Sequence, residues 1–200
     1  MPESLISVEV GSKPFSFKEN EEAQRVARDY ALNQSQVISG QTKRAIRRLI
    51  VRSIREGIPP REAALLIKGD VGLNEMQEKA VFEYRGRLDP SMSVSQREKA
   101  VKKFQMRLLR RRAVMIARTE VIDALNTGAE VAWKQAQKQG YLGKNAKKEW
   151  VAELAGACEV CRALHGDSVK LDGNFTTIHN KTLKSPTAHP NCRCSIAPVP

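Results

Sequence analysis

Two hundred residues, 41% hydrophobic but only 5% aromatic, suit one sizeable core or a helical body with a small satellite rather than a large β-sandwich. No run of apolar residues is long enough to span a bilayer, and Met1-Pro2-Glu3-Ser4 begins no signal peptide, so the sequence reads as made in the cytoplasm or packed into something assembled there, with no membrane partner. A net charge of +12, from 34 Lys and Arg against 22 Asp and Glu, favours a polyanionic partner without choosing among nucleic acid, an anionic membrane and an acidic protein surface.

Taken in chain order, Leu5–Val10 has the composition of a strand closed by Gly11 and Pro14, and helical character begins at Ser16 and runs to Asn33. A second helix is predicted from Gln41 to Gly57, where Ile46, Leu49, Ile50 and Ile54 recur at intervals of three and four. Gly57-Ile58-Pro59-Pro60 ends it and opens a short helix to Gly69, because proline is tolerated in a first helical turn. A further helix spans Leu73 to Leu88, stopping before Asp89-Pro90. The longest tract runs from Ser95 to Gln139, with Met106, Leu109, Ala113 and Ile116, then Ile122, Leu125, Ala129 and Trp133, on its apolar face and Gly128 as a bend or break. After Gly143 the character changes, with a strand at Trp150-Val151 and many Gly, Asp, Asn, Thr and Pro residues. The expected fold is mainly α: a helical body over 1–143, then a small α+β Cys/His module, zinc-knuckle-like, over 144–200.

All four cysteines lie in that module. Cys158-Glu159-Val160-Cys161 is followed, 28 residues after Cys161, by His189 and then Cys192-Arg193-Cys194. Two such knuckles can complete a tetrahedron, and thiolate and imidazole donors match the softness of zinc. Cys158, Cys161, His189, Cys192 and Cys194 are five candidates for four seats, with Arg193 placed to offset thiolate charge. Disulfides and inert buried thiols are the competing readings. A DNA-reading finger would carry a helix with two histidines after the knuckle, so base-specific readout is disfavoured. His165, His179-Asn180 and His189 after a Cys-x-x-Cys are similar to a zinc-supported His-Asn-His nuclease, with Asp167 and Asp172 as possible ligands of a catalytic metal. No compact acid–histidine pair precedes the second knuckle, so no catalytic residue is assigned.

Two tracts are basic. Residues 97–118 hold nine Lys or Arg against one acid, and residues 43–55 hold six with none. Arg47, Arg48, Arg107, Arg110, Arg111 and Arg112 are the candidates for a sequence-blind, salt-sensitive phosphate surface on double-stranded DNA; a solvated face paired with neighbouring acids is the alternative. Few aromatics lie nearby, which argues against base stacking. Arg118-Thr119-Glu120 is mid-helix, so Arg118 and Glu120 point different ways, and the expected role is structural: a buried Arg or Glu anchoring the C-terminal module to the long helix.

The order Ala113, Ile116-Ala117-Arg118-Thr119-Glu120, Ala124, Asn126, Gly128, Trp133, Gly140, Trp150, Cys158-x-x-Cys161, Leu164-His165-Gly166, Phe175 and His189-Pro190-Asn191-Cys192-Arg193-Cys194 resembles the phage Mu F-like head morphogenesis family over residues 105 to 197. Asp167 departs from it, standing where the family often has Gln. The resemblance implies a minor structural component of a phage head, associated with the portal and other capsid components, made in the host cytoplasm and carried in the virion head. It implies no established catalytic residues.

Overall fold

The computed structural model describes residues 7–10, 13–16, 21, 25 and 40–199. The helix expected over 16–33 falls outside these apart from Glu21 and Arg25, both helical. At the N-terminal end β1 (Ser7–Val10) pairs antiparallel with β2 (Lys13–Ser16), Val8 opposite Phe15. Pro14 was expected to close the first strand and instead lies within the second. In a two-stranded ribbon each strand is an edge, where a residue without an N–H is tolerated.

From residue 40 onward the described residues form helices α1 (Gly40–Glu56), α2 (Pro60–Ile67), α3 (Glu75–Gly86), α4 (Val94–Lys138) and the short α5 (Glu159–Leu164). Their starts are written locally. Pro59 and Pro60 supply the cap and first position of α2. Asn74 with Gln77, and Ser93 with Gln96, form reciprocal capping boxes for α3 and α4. Left-handed Gly57 and Gly140 turn the chain just after α1 and α4, at φ of +66° and +80°.

The 45-residue α4 organises the molecule. At about 1.5 Å per residue it extends roughly 68 Å. Gly128 neither breaks nor ends it, because intact backbone hydrogen bonding on either side outweighs the modest penalty of one interior glycine, and the position is buried. Its middle, from Ala113 to Ala132, packs with Ile46 and Ile50 of α1 and Ala63, Ala64 and Ile67 of α2 in the first core. Its C-terminal part, at Ala129 and Trp133, joins a second core with Trp150, Leu164, Phe175 and Ile196. Its N-terminal third meets α3, where Tyr84 stacks on Phe104 at 4.4 Å between ring centroids. Met76 and Phe82 of α3 point into solvent, while Met92 is half-buried.

The second core closes around a three-stranded antiparallel sheet with β3 (Lys147–Val151) between β4 (Ser168–Lys170) and β7 (Ser195–Val199). Trp150 sits opposite Ile196, and both are fully buried. A small ribbon of β5 (Phe175–Thr176) and β6 (Thr182–Leu183) brings Phe175 edge-on to Trp150 at 5.3 Å. The chain is thus mainly α with a small strand-rich C-terminal region. Among the described residues no helix is long and apolar enough to cross a membrane.

Candidate metal centre and its attachment to the long helix

The first knuckle is built on α5. Cys158 is its N-cap, and its Sγ accepts the Cys161 N–H at 3.5 Å, so thiolate charge falls at a helix N-terminus. The second knuckle is a turn closed by the Cys192 N–H donating to the His189 carbonyl at 3.1 Å, with Asn191 in the left-handed region at φ +67°. The two meet. His189 Nε2 is 3.3 Å from both Cys158 Sγ and Cys161 Sγ, and Cys161 Sγ is 3.8 Å from Cys192 Sγ. Cys161, Cys192 and Cys194 form a second, fully buried triad sharing Cys161 with the first.

Zinc fits this arrangement. With Zn–S bonds of about 2.3 Å, the edge of a tetrahedron between two sulfurs is about 3.8 Å, the Cys161–Cys192 separation. His189 Nδ1 lies 2.9 Å from the Pro190 carbonyl, so that nitrogen carries the proton and the Nε2 lone pair is left for a metal. Proton affinities are split across the cluster. Hydrogen bonding from Cys194, ahead of the opposing effect of burial, holds the Cys192 thiol well below its ordinary value, and burial pushes Cys161 up. Cys194 is also pushed up, first by its bond to Cys192 and then by burial. All four cysteines are free thiols.

Arg118, Thr119 and Asn126 tie the second knuckle to α4. The Thr119 hydroxyl accepts the Asn191 N–H at 2.8 Å while donating to the Met115 carbonyl, and the Arg118 guanidinium donates to Asn191 Oδ1. Glu120 is buried one residue on. Asn126 is a three-way clamp: Nδ2 donates to the carbonyls of Pro186 and Cys194, and Oδ1 accepts the Ile196 N–H at 3.2 Å. Further along the same side, buried Glu130 draws Lys148 and Lys134 to its two carboxylate oxygens. Glu130 and Lys148 carried no expectation from sequence and Asn126 only its place in the family pattern; for Asn126 and Glu130 the signal was polar residues four apart on an otherwise apolar helix face.

The other expected positions are spread out. Arg107, Arg110 and Arg111 are exposed on α4, with Arg107 over the Phe104 ring at 4.9 Å, and Arg47 and Arg48 are exposed on α1. Arg112 does not belong with them. It is buried at 7% exposure beside core residue Ala113, because the helical rotation that exposes Arg110 and Arg111 turns the next position inward. His165 Nδ1 accepts the Ala152 N–H at 3.3 Å, a backbone-bracing contact, and His179 is exposed on the β5–β6 turn. Among the described residues, Asp167, Asp172, His165 and His179 join no group of three or more potential metal ligands.

No curated protein and no solved structure matches the chain. The profile described as phage Mu protein F like protein matches residues 44–197, taking in α1, α2 and α3 as well as the long helix and both knuckles, and the chain belongs to that family.

Proposed function

We propose that this chain is a structural, non-enzymatic minor protein of a phage head, docking on the portal and other capsid components, touching packaged DNA without reading its sequence, and carrying one structural zinc per chain. Membership of the Mu F-like family supports the head assignment. The single observation carrying the mechanism is the division of labour along α4. Its C-terminal two thirds are cemented into two cores, leaving its N-terminal third with α3 as a projecting basic hairpin. Exposed Arg107 offers a phosphate contact there, exposed Arg110 and Arg111 continue it just before the first core begins at Ala113, and exposed Met76 and Phe82 offer apolar anchors to a protein partner.

Cys158, Cys161, His189 and Cys192 are the zinc ligands in this reading, with Cys194 held behind them as a hydrogen-bond partner of Cys192. Zinc supplies local folding energy to a loop-rich region and no catalysis. Co-expression with the cognate portal and scaffolding proteins, followed by sedimentation and mass spectrometry of the particles, tests the assignment. The protein is expected in procapsids and mature heads; its absence from both overturns the reading. Metal-dependent cleavage of plasmid DNA that is lost in His179→Ala would replace it with a nuclease.

A further inference from the structure

Five donors converge where a tetrahedron takes four, and the fifth is not at the edge. Cys194 is buried as deeply as Cys161 and Cys192, whereas Cys158 is exposed. The sulfurs of Cys161, Cys192 and Cys194 all lie within 4.8 Å of one another, with 3.8 Å between the first two. Cys158 Sγ and His189 Nε2 make the other triad with Cys161, and that one opens to solvent at Cys158.

Strand pairing places the fifth donor. Trp150 of β3 stands opposite Ile196 of β7, and Cys194, two positions before Ile196, is carried to the same buried side. Asn126 Nδ2 holds the Cys194 carbonyl at 3.3 Å, so α4 fixes this position as well as the sheet. The Trp150 indole N–H is buried in that core and meets no hydrogen-bond partner among the described residues. The Cys194 sulfur is its neighbour there, and a metal-bound thiolate is an acceptor that would satisfy it.

Three buried sulfurs select differently from the mixed donors outside them. Zinc takes four ligands, nitrogen as well as sulfur, while an all-thiolate set suits a softer ion. At the sulfur bond length of about 2.3 Å found for zinc, three sulfurs in a plane around one ion stand about 4 Å apart, close to the 3.8 Å between Cys161 and Cys192. A single positive charge leaves excess charge on three thiolates. The Arg193 guanidinium, held on the Ala155 carbonyl at 2.7 Å, lines the same small cavity as the four cysteines and offsets it.

We propose that Cys161, Cys192 and Cys194 form an inner site for a soft monovalent ion, copper(I), which overlaps the zinc site and excludes zinc when filled. Only that exclusion rests on the zinc reading: Cys161 and Cys192 serve both ions, Cys158 and His189 serve zinc, and Cys194 serves copper(I).

Anaerobic titration of the zinc-loaded full chain with copper(I), supplied as its acetonitrile complex in competition with a copper(I) chelator, tests this. Elemental analysis of the desalted protein is expected to show one copper gained and one zinc lost per chain, and X-ray absorption at the copper edge three sulfur neighbours and no nitrogen. Cys194→Ser should keep its zinc and bind copper(I) at least about tenfold more weakly, the scale on which even an outer partner of a ligand counts. Cys158→Ser should lose zinc and keep copper(I). Copper(I) binding that survives Cys194→Ser, fails in Cys158→Ser or shows nitrogen overturns the inner site, as does a parent chain that yields all its copper to the chelator. Retained zinc and helical circular dichroism show that Cys194→Ser folds; where it does not, the absorption spectrum of the parent decides. A parent that never holds zinc but binds copper(I) at three sulfurs removes the zinc reading and leaves the inner site standing.

Discussion

Lys148 and Glu130 form a buried ion pair between β3 and α4, Nζ to Oε2 3.4 Å, with the lysine side chain wholly out of solvent. The ammonium also donates to the Lys184 carbonyl at 2.7 Å and lies over the Phe175 ring at 5.8 Å. Burial lowers the Lys148 pKa, and the Glu130 charge opposes that shift.

The two ends of this pair are therefore unequal. Glu130→Gln strands a buried cation and is expected to destabilise by about 3–5 kcal/mol. Lys148→Met leaves Glu130 with Lys134 at 2.8 Å and Lys184 at 3.6 Å and is expected to lose markedly less. Urea melts of both variants check the order, and a larger loss in Lys148→Met would contradict it.

Stability should carry a pH signature from Asp123. Burial first, then the neighbouring Glu120 carboxylate, push its carboxyl up to about 7 against hydrogen bonds from Thr187. An unfolded aspartate titrates near pH 4, so between about pH 4 and about pH 7 the native state keeps a proton the unfolded chain has lost. The contribution is fully present below about pH 4 and is lost as pH rises toward 7. Comparing melts of the parent and Asp123→Asn across that window isolates it: the variant should gain on the parent as pH rises, and a constant difference would refute the assignment.

Metal removal should act locally. A strong chelator, or Cys158→Ser, is expected to release zinc and open residues after 150 to protease while leaving the α1–α2–α4 core helical. Acid should release the metal as well, since the ligands bind deprotonated. Elemental analysis with circular dichroism and limited proteolysis reads all three effects, and a chain purified without chelator that holds no zinc would end the metal reading.

On DNA, Arg110→Glu with Arg111→Glu should weaken binding on every duplex alike and flatten its salt dependence. Arg112→Glu should instead appear in the melting curve, as a buried charge reversal. Gel shifts at several salt concentrations, paired with melts, separate the two; salt-independent binding would contradict the phosphate mechanism.

Much of this was legible. Ile46 and Ile50, or Ala113 and Ile116, announce helix faces because burial at helical spacing leaves a periodic trace. The Cys-x-x-Cys and His-x-x-Cys-x-Cys pair announces a shared centre because ligand spacing is local. Arg112 was misread because three consecutive arginines look alike in sequence, and only the rotation of α4 against its neighbours separates them. Asn126 was passed over as a site because its partners, Pro186, Cys194 and Ile196, lie 60 or more positions away, and long-range clamps to backbone atoms leave no pattern in side-chain identity. The β2 strand went unseen because Pro14 reads as a terminator until the ribbon is known to have only edges.

Because one helix belongs to both cores, it also sets a hierarchy of opening times. Amides near Val101, toward the N-terminal end of α4, lie outside both cores and are expected to exchange with solvent by local fraying. Amides from Ala129 to Ala132 lie where the two cores meet, and they exchange only when both have come apart. The same rod is therefore quick to breathe at one end and slow near the other.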